Sequence, residues 1–407
     1  MKDIFCSIDS IPEKYKFEKI DQREYLVDGE IKIWDGPLKD IFSPICDVKN
    51  GESKQVLIGS YPLLDEAASV EALNSAVKAY DNGKGEWPTM AVGERIKCMN
   101  NFVNEMKLHK EEVVKLLMWE IGKNLTDSEN EFDRTVDYIL ATISSLKDLD
   151  HVSSRFIFEQ GIFAQIRRAP LGVVLCMGPF NYPLNETFTT MIPALIMGNT
   201  VILKPAKHGI LLLRPLLDAF KKCFPKGVVN TIYGDGKVII TPLMKSGLID
   251  VFAFIGSAKV ANIISVQHPK LNRLKTVYGL GAKNPAIILE DADIDLAVKE
   301  CVKGSLSFNG QRCTALKILF VHQKIADKFV SLFSQAVSNL KYGLPWEEGV
   351  FITPLPEDGK TNYMQSYVED AVKNGAKVVN ENGGQIQQTF FYPAVLFPVN
   401  EKMRIYS

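Results

Sequence analysis

Two short segments carry the residues best suited to covalent chemistry. Cys313 lies in Phe308-Asn309-Gly310-Gln311-Arg312-Cys313-Thr314-Ala315. Small and polar neighbours leave its thiol accessible, and the adjacent Arg312 favours the thiolate, the form that attacks a carbonyl carbon and holds it covalently. A lone cysteine is more often an inert core residue; Gly310 and the polar run around it weigh against that. The second segment is Pro179-Phe180-Asn181-Tyr182-Pro183. Its Asn amide can donate to a developing oxyanion, although the segment taken alone better suits an Asn capping the helix that begins at Pro183. Leu203-Lys204-Pro205-Ala206-Lys207 sets Lys204 and Lys207 where a dinucleotide fold often carries an acid for the ribose hydroxyls. Two lysines there suit a 2′-phosphate instead, or are simply solvated. Gly256-Ser257 and Gly234-Asp235-Gly236 are glycine turns whose backbone N–H groups can hold phosphate. Any one such turn is poor evidence.

These residues need a scaffold that brings them together. Leu171–Met177 is a continuous apolar run, the pattern of a strand buried on both faces. It predicts a helix over Pro183–Met197, a strand at Thr200–Leu203, a helix over Ile210–Lys222 and a strand at Val228–Ile232. A helix over Val238–Lys245, a strand at Val251–Ile255 and a helix over Ser257–Ser265 continue the series. Such alternation implies a parallel sheet clad in helices. After Pro285 the pattern restarts with strands at Ala286–Leu289 and Lys317–Val321 and helices at Asp293–Ser305 and Ile325–Leu340, so a second α/β unit is expected, hinged near Gly279–Asn284. Upstream, Asp28-Gly29, Trp34-Asp35-Gly36 and Asn50-Gly51 mark turns between short strands, and Asp65 to about Leu146 is helical. Phe156 to Arg167 alternates around Gln160-Gly161 and predicts an extended hairpin.

Composition narrows the function classes. The chain has 407 residues, enough for two to three domains, with 46% apolar and 23% charged residues. Lys and Arg number 47 against 48 Asp and Glu, a net charge of −1, which argues against a dedicated nucleic-acid binder or a basic membrane-surface protein. No apolar run reaches the roughly 18 residues of a membrane span, and the N-terminus lacks a signal-peptide pattern. Seven scattered cysteines fit a reduced, cytoplasmic setting. With no C-x-x-C and no His-x-x-x-His, a metal site is not expected.

In order and spacing, these segments resemble the aldehyde dehydrogenase superfamily from about Ser43 to Ser407. Pro179–Pro183 resembles the family's P-W/F-N-F/Y-P motif, which gives Asn181 the oxyanion role. Leu203–Ala206 resembles its L-K-P-A segment, with Lys204 on the adenosine ribose. Phe254–Ser257 resembles its F-T-G-S phosphate loop with Ile255 in place of Thr, and Phe308–Ala315 its nucleophile motif, with Cys313 as nucleophile. The resemblance implies a Rossmann-type parallel-sheet cofactor domain (residues 1–154 and 169–282), a β flap for oligomerisation (155–168) and a second α/β catalytic domain (283–407). It also implies a homo-dimer or tetramer. The branch of NADP-dependent non-phosphorylating glyceraldehyde-3-phosphate dehydrogenases is the most similar: Tyr182, Arg312 and Arg134 match its substrate-phosphate groups, which suits guanidinium geometry. Lys207 agrees with NADP, NAD being the alternative.

Two departures matter. Gly279, in Tyr278-Gly279-Leu280-Gly281-Ala282-Lys283, stands where the family carries its general-base Glu, 34 residues before Cys313. Loss of a positioned base typically costs about 10²–10⁴-fold, so thioester hydrolysis is expected to be slow unless another carboxylate substitutes. A general or acylating aldehyde dehydrogenase, or a weak or inactive nucleotide-binding homologue, are the alternative readings. The resemblance also stops at Met403–Ser407, just short of the family's E-E-x-F-G-P motif, so the expected catalytic domain is incomplete.

Overall fold

The computed structural model describes residues 2–406. Two long antiparallel strands, β1 (Leu38–Lys49) and β2 (Glu52–Pro62), turn at Asn50-Gly51. The turn signals in the sequence suggested only short strands here. Register shifts at Ile41/Phe42 and Phe42/Cys46 break the two-residue repeat while the ladder continues across them. Helices α1 (Glu66–Tyr80), α2 (Val92–Lys107), α3 (Lys110–Ile121) and α4 (Leu125–Ser153) follow. Asp65 caps α1 by accepting from the Ala68 N–H at 2.8 Å, and Ala68, Ala72 and Ala76 form its buried stripe. Helix α3 stops at Gly122 (φ 68°), where a Cβ would collide with the Pro354 carbonyl oxygen. Asn124 then caps α4, accepting from the Asp127 N–H at 2.7 Å. The hairpin β3 (Ile157–Glu159) and β4 (Ile162–Ala164) turns at Gln160-Gly161 as the periodicity predicts, and every residue of both strands is exposed.

The parallel sheet forms as expected. Its strands are β5 (Val173–Met177), β6 (Thr200–Lys204), β7 (Val229–Thr231), β8 (Val251–Gly256) and β9 (Lys275–Leu280), in the order β7-β6-β5-β8-β9. The strand order reverses between β5 and β8, the point where open parallel sheets take ligands at their carboxyl ends. Every residue of β5 is buried. Helices α5 (Asn185–Ile196), α6 (Leu217–Cys223), α7 (Gly236–Lys245) and α8 (Ala258–Ser265) connect the strands. The helix expected over Ile210–Lys222 begins instead as a 3₁₀ segment, Leu211–Leu216. Pro215 has no N–H to continue an α-helical ladder, and α6 starts only after it. Strand β9 was not foreseen: of the segment Gly279–Asn284 only Gly281–Lys283 lies outside strands, because Gly279 and Leu280 pair with Ile255 and Gly256 as the end of β9 and Asn284 opens the next strand.

Beyond this connection, β10 (Asn284–Ile288) and β11 (Leu316–Val321) pair in parallel, and α9 (Ile294–Leu306) and α10 (Ala326–Ser338) pack on them. Ile288, Val298, Cys301, Phe329, Phe333 and Val337 make a core separate from the larger one under the five-stranded sheet. The other side of the pair is open, with Ile287 and Phe320 exposed. Helix α11 (Lys360–Lys373) lies further on. Among the described residues no helix is long and apolar enough to cross a membrane.

Candidate active site

Strand β5 delivers the chain to Gly178, where a Cβ would overlap the Thr187 side chain of α5. Only glycine allows the loop to fold back this tightly before α5 begins. That loop carries Asn181, whose amide donates to the carbonyl of Gln311 at 2.6 Å. The bond ties the loop after β5 to a point two residues before Cys313.

The Cys313 loop has its own supports. Phe308 (φ 48°) and Asn309 (φ 56°) are both left-handed, a costly conformation for a bulky side chain unless its surroundings impose it. Phe308 is buried and meets the Tyr182 ring edge-on at 6.0 Å. Asn309 exchanges hydrogen bonds with Thr353, donating to its hydroxyl at 3.0 Å and accepting from its N–H at 2.9 Å. Asn284 donates to the carbonyl of Cys313 at 2.6 Å. The half-buried Cys313 therefore sits on a loop clamped on both sides.

Beneath both loops lies a buried ion pair that inspection of the sequence missed. Lys123 donates to the Glu131 carboxylate and, at 2.8 Å, to the carbonyl of Asn181. Its ammonium stands 3.6 Å from the centre of the Tyr182 ring and 4.3 Å from that of Phe308. The other oxygen of Glu131 accepts from the N–H groups of Leu184 and Asn185 at 3.0 and 3.1 Å. A signal was present: Ser128, Glu131, Phe132, Thr135 and Val136 share one face of α4 by helical spacing, so a carboxylate stood on an apolar face.

A cleft of about 1180 Å³ opens over the carboxyl ends of β5, β6 and β8. Its wall includes Asn181, Lys204, Lys207, Gly256, Ser257, Gly279, Arg312 and Cys313, so eight of the eleven residues singled out in the sequence meet there. Gly234, Tyr182 and Arg134 do not line it. Gly234 packs on the backbone of Leu64 instead. Tyr182 stands behind the wall between Lys123 and Phe308, where burial pushes its phenol up to about 12. Arg134 is exposed on α4, within electrostatic reach of Tyr182 and Glu186. Arg312 lines the cleft, and its guanidinium donates to the carbonyl of Gly304 at 3.0 Å near the end of α9, within electrostatic reach of Tyr182. Lys317, overlooked in the sequence, donates to the carbonyl of Gly310 at 3.2 Å and lies within electrostatic reach of Cys313.

At the strand ends, half-buried Lys204 has one acceptor, the carbonyl of its neighbour Pro205 at 2.9 Å, and burial pushes its ammonium down to about 8. Lys207 pairs with Asp358 at 2.8 Å. Ser257 caps α8, accepting from the Val260 N–H at 3.3 Å, so an N-terminal helix end and its free N–H groups open onto the cleft. An under-partnered cation and a helix N-terminus along one wall fit an elongated anion such as a dinucleotide. No cluster of His, Cys, Asp and Glu suited to a metal occurs among the described residues.

A sequence profile of the aldehyde dehydrogenase family matches residues 46–407. The chain belongs to the aldehyde dehydrogenase family. It is 33% identical over 368 residues to an NADP-dependent glyceraldehyde-3-phosphate dehydrogenase of Streptococcus equinus, covering 88% of this chain and 73% of that one. It is 30% identical over 359 residues to a lactaldehyde dehydrogenase of Methanocaldococcus jannaschii, covering 86% and 74%. Among solved structures, an NADP-dependent glyceraldehyde-3-phosphate dehydrogenase of Bacillus halodurans C-125, complexed with NADP, superposes with a TM-score of 0.82 at 30% identity. The match covers 96% of this chain and 79% of that one. Family membership and the α/β fold with its Rossmann-type sheet agree with the reading from sequence. The relatives differ in their named substrates, so the substrate does not follow from membership.

Proposed function

We propose that this chain oxidises an aldehyde to a carboxylate through a thioester on Cys313, with NADP as hydride acceptor. The observation that carries the proposal is the Asn181–Gln311 hydrogen bond, which joins the oxyanion loop to the nucleophile loop on one cleft wall. The Cys313 thiolate attacks the aldehyde carbon, and the Asn181 amide and the Cys313 N–H stabilise the oxyanion. Bound NADP would supply the hydride acceptor for this oxidation. Lys204, Gly256 and Ser257 would hold it, with Lys207 serving the 2′-phosphate once released from Asp358. Glyceraldehyde 3-phosphate is the favoured substrate and 3-phosphoglycerate the product, with Arg134, Tyr182 and Arg312 as the phosphate groups. The Asp358 contact at Lys207 leaves NAD as the alternative acceptor. The exposed hairpin β3–β4, rich in Phe and Ile, is the surface proposed for a homo-dimer or tetramer.

One observation favours a second reading. Arg312 is engaged with the Gly304 carbonyl, and the Glu186 carboxylate lies near Arg134 on the same side. Both lower the site's appeal to a phosphate, so a general aldehyde dehydrogenase without phosphate preference is the alternative. Comparison of kcat/KM for glyceraldehyde 3-phosphate and for unphosphorylated glyceraldehyde separates the two. Under the first reading the phosphorylated substrate is preferred and Arg134→Leu removes the preference; equal values for both substrates refute it.

A further inference from the structure

Three carboxylates line the cleft among the described residues: Glu186, Glu357 and Asp358. Two are engaged. Glu357 pairs with Lys360 at 2.8 Å and Asp358 with Lys207 at 2.8 Å. Glu186 is different: its carboxylate has no hydrogen bond or ion pair among the described residues, although it is half-buried. It lies in the first turn of α5, five residues after Asn181, and its backbone N–H donates to the Tyr182 carbonyl at 3.1 Å. The clamped loop that holds Asn181 thus also fixes where Glu186 starts. Gly279, which also lines the cleft, leaves the end of β9 without any carboxylate.

Resting on the thioester reading above, we propose that Glu186 is the general base that activates water for hydrolysis of the Cys313 thioester. Water's oxygen bonds to the acyl carbon as one of its protons passes to the Glu186 carboxylate. The carbon–sulfur bond breaks, Cys313 leaves as thiolate, the acid departs, and the Glu186 proton is released to solvent. No oxidant or further reactant enters the step. The surroundings suit the role: burial and the nearby Glu131 raise the Glu186 carboxyl above its ordinary value, while Lys123 and Arg134 oppose that rise. A carboxylate moved toward neutrality is the stronger base at the pH of the reaction.

The test is rapid mixing of the full chain with glyceraldehyde 3-phosphate and NADP, recording NADPH absorbance through the first turnover and beyond. The wild type is expected to give one equivalent per chain, then a steady rate set by hydrolysis. Glu186→Gln is expected to keep the first equivalent, showing an intact fold and intact acylation, and to lower the steady rate by about 10²-fold or more. Adding Gly279→Glu to that variant is expected to restore part of the steady rate. A Cβ at Gly279 would lie 3.1 Å from Ile255 Cγ1, a crowding that a small shift of the Ile255 side chain relieves. An unchanged first equivalent with an unchanged steady rate in Glu186→Gln overturns the base assignment and leaves the thioester reading standing. A wild type without a first equivalent overturns both.

Discussion

Replacing Lys123 with Met tests whether the buried ion pair holds the Asn181 and Cys313 loops. Both side chains of the Lys123–Glu131 pair are 0% exposed. Without the ammonium, one Glu131 oxygen keeps the Leu184 and Asn185 N–H groups and the other faces apolar surroundings. The Asn181 carbonyl loses its donor as well. Breaking a buried pair by removing one partner costs about 3–5 kcal/mol, and that is the destabilisation expected. Glu131→Gln leaves the oxygen facing Leu184 and Asn185 in place but turns an amide NH₂ toward the ammonium. Lys123→Met with Glu131→Gln removes that conflict, so the double variant is expected to recover about 0.5–3 kcal/mol of the summed single costs. Tryptophan fluorescence in a denaturant titration reads this well, because Trp87, Trp119 and Trp346 are buried in the larger core and Trp34 packs against it. A single-variant cost below about 1 kcal/mol, or strictly additive costs, would refute the reasoning.

Three further outcomes follow from named groups. Asn181→Ala is expected to slow the first-turnover rate by about 10²–10³-fold while Cys313 still reacts with a small thiol reagent; an unchanged rate removes the oxyanion role. Lys207→Glu is expected to raise KM for NADP by about tenfold and to spare NAD, since a charged hydrogen bond to phosphate is lost; equal effects on both cofactors contradict the 2′-phosphate assignment. Glu120 is wholly buried, accepts from the Ile210 and Leu211 N–H groups at 2.6 and 3.0 Å, and burial pushes its carboxyl from 4.5 up to about 7. The folded state therefore binds more protons than the unfolded one between those values. Its stabilising contribution is complete below pH 4.5 and is lost as pH rises through 7, by roughly 3 kcal/mol. Glu120→Gln should flatten that part of the stability–pH curve, and an unchanged curve would contradict the assignment.

Much of the scaffold was legible because local and tertiary demands agree. The run Leu171–Met177 is apolar on both faces because β5 is the middle strand of five, and the strand–helix spacing on either side follows from short parallel crossovers. The β9 strand was illegible because Lys275 and Thr276 open it with polar, exposed residues and Gly279 interrupts its side chains; only the pairing with β8 makes it a strand. The lining of the cleft was legible where a motif concentrates unusual residues, as around Asn181 and Cys313, which both line it. It was harder to read where a contact depends on burial. Glu131 left only its place on the apolar face of α4, and Lys123, in the turn after Gly122, gave no sign that it reaches beneath Asn181. Arg312 shows the converse: its neighbour in sequence is the proposed nucleophile, yet its guanidinium reaches back to the end of α9.

The most direct test of the thioester account is the covalent state of Cys313 itself. After rapid mixing with glyceraldehyde 3-phosphate and NADP and an acid quench within the first turnover, intact-mass and peptide mass spectrometry are expected to find one acyl group per chain. It should sit on the Cys313 peptide, matched by one equivalent of NADPH, and both should vanish in Cys313→Ala. NADPH formation without acylated Cys313, or an acyl group on any of the other six cysteines, would contradict the account.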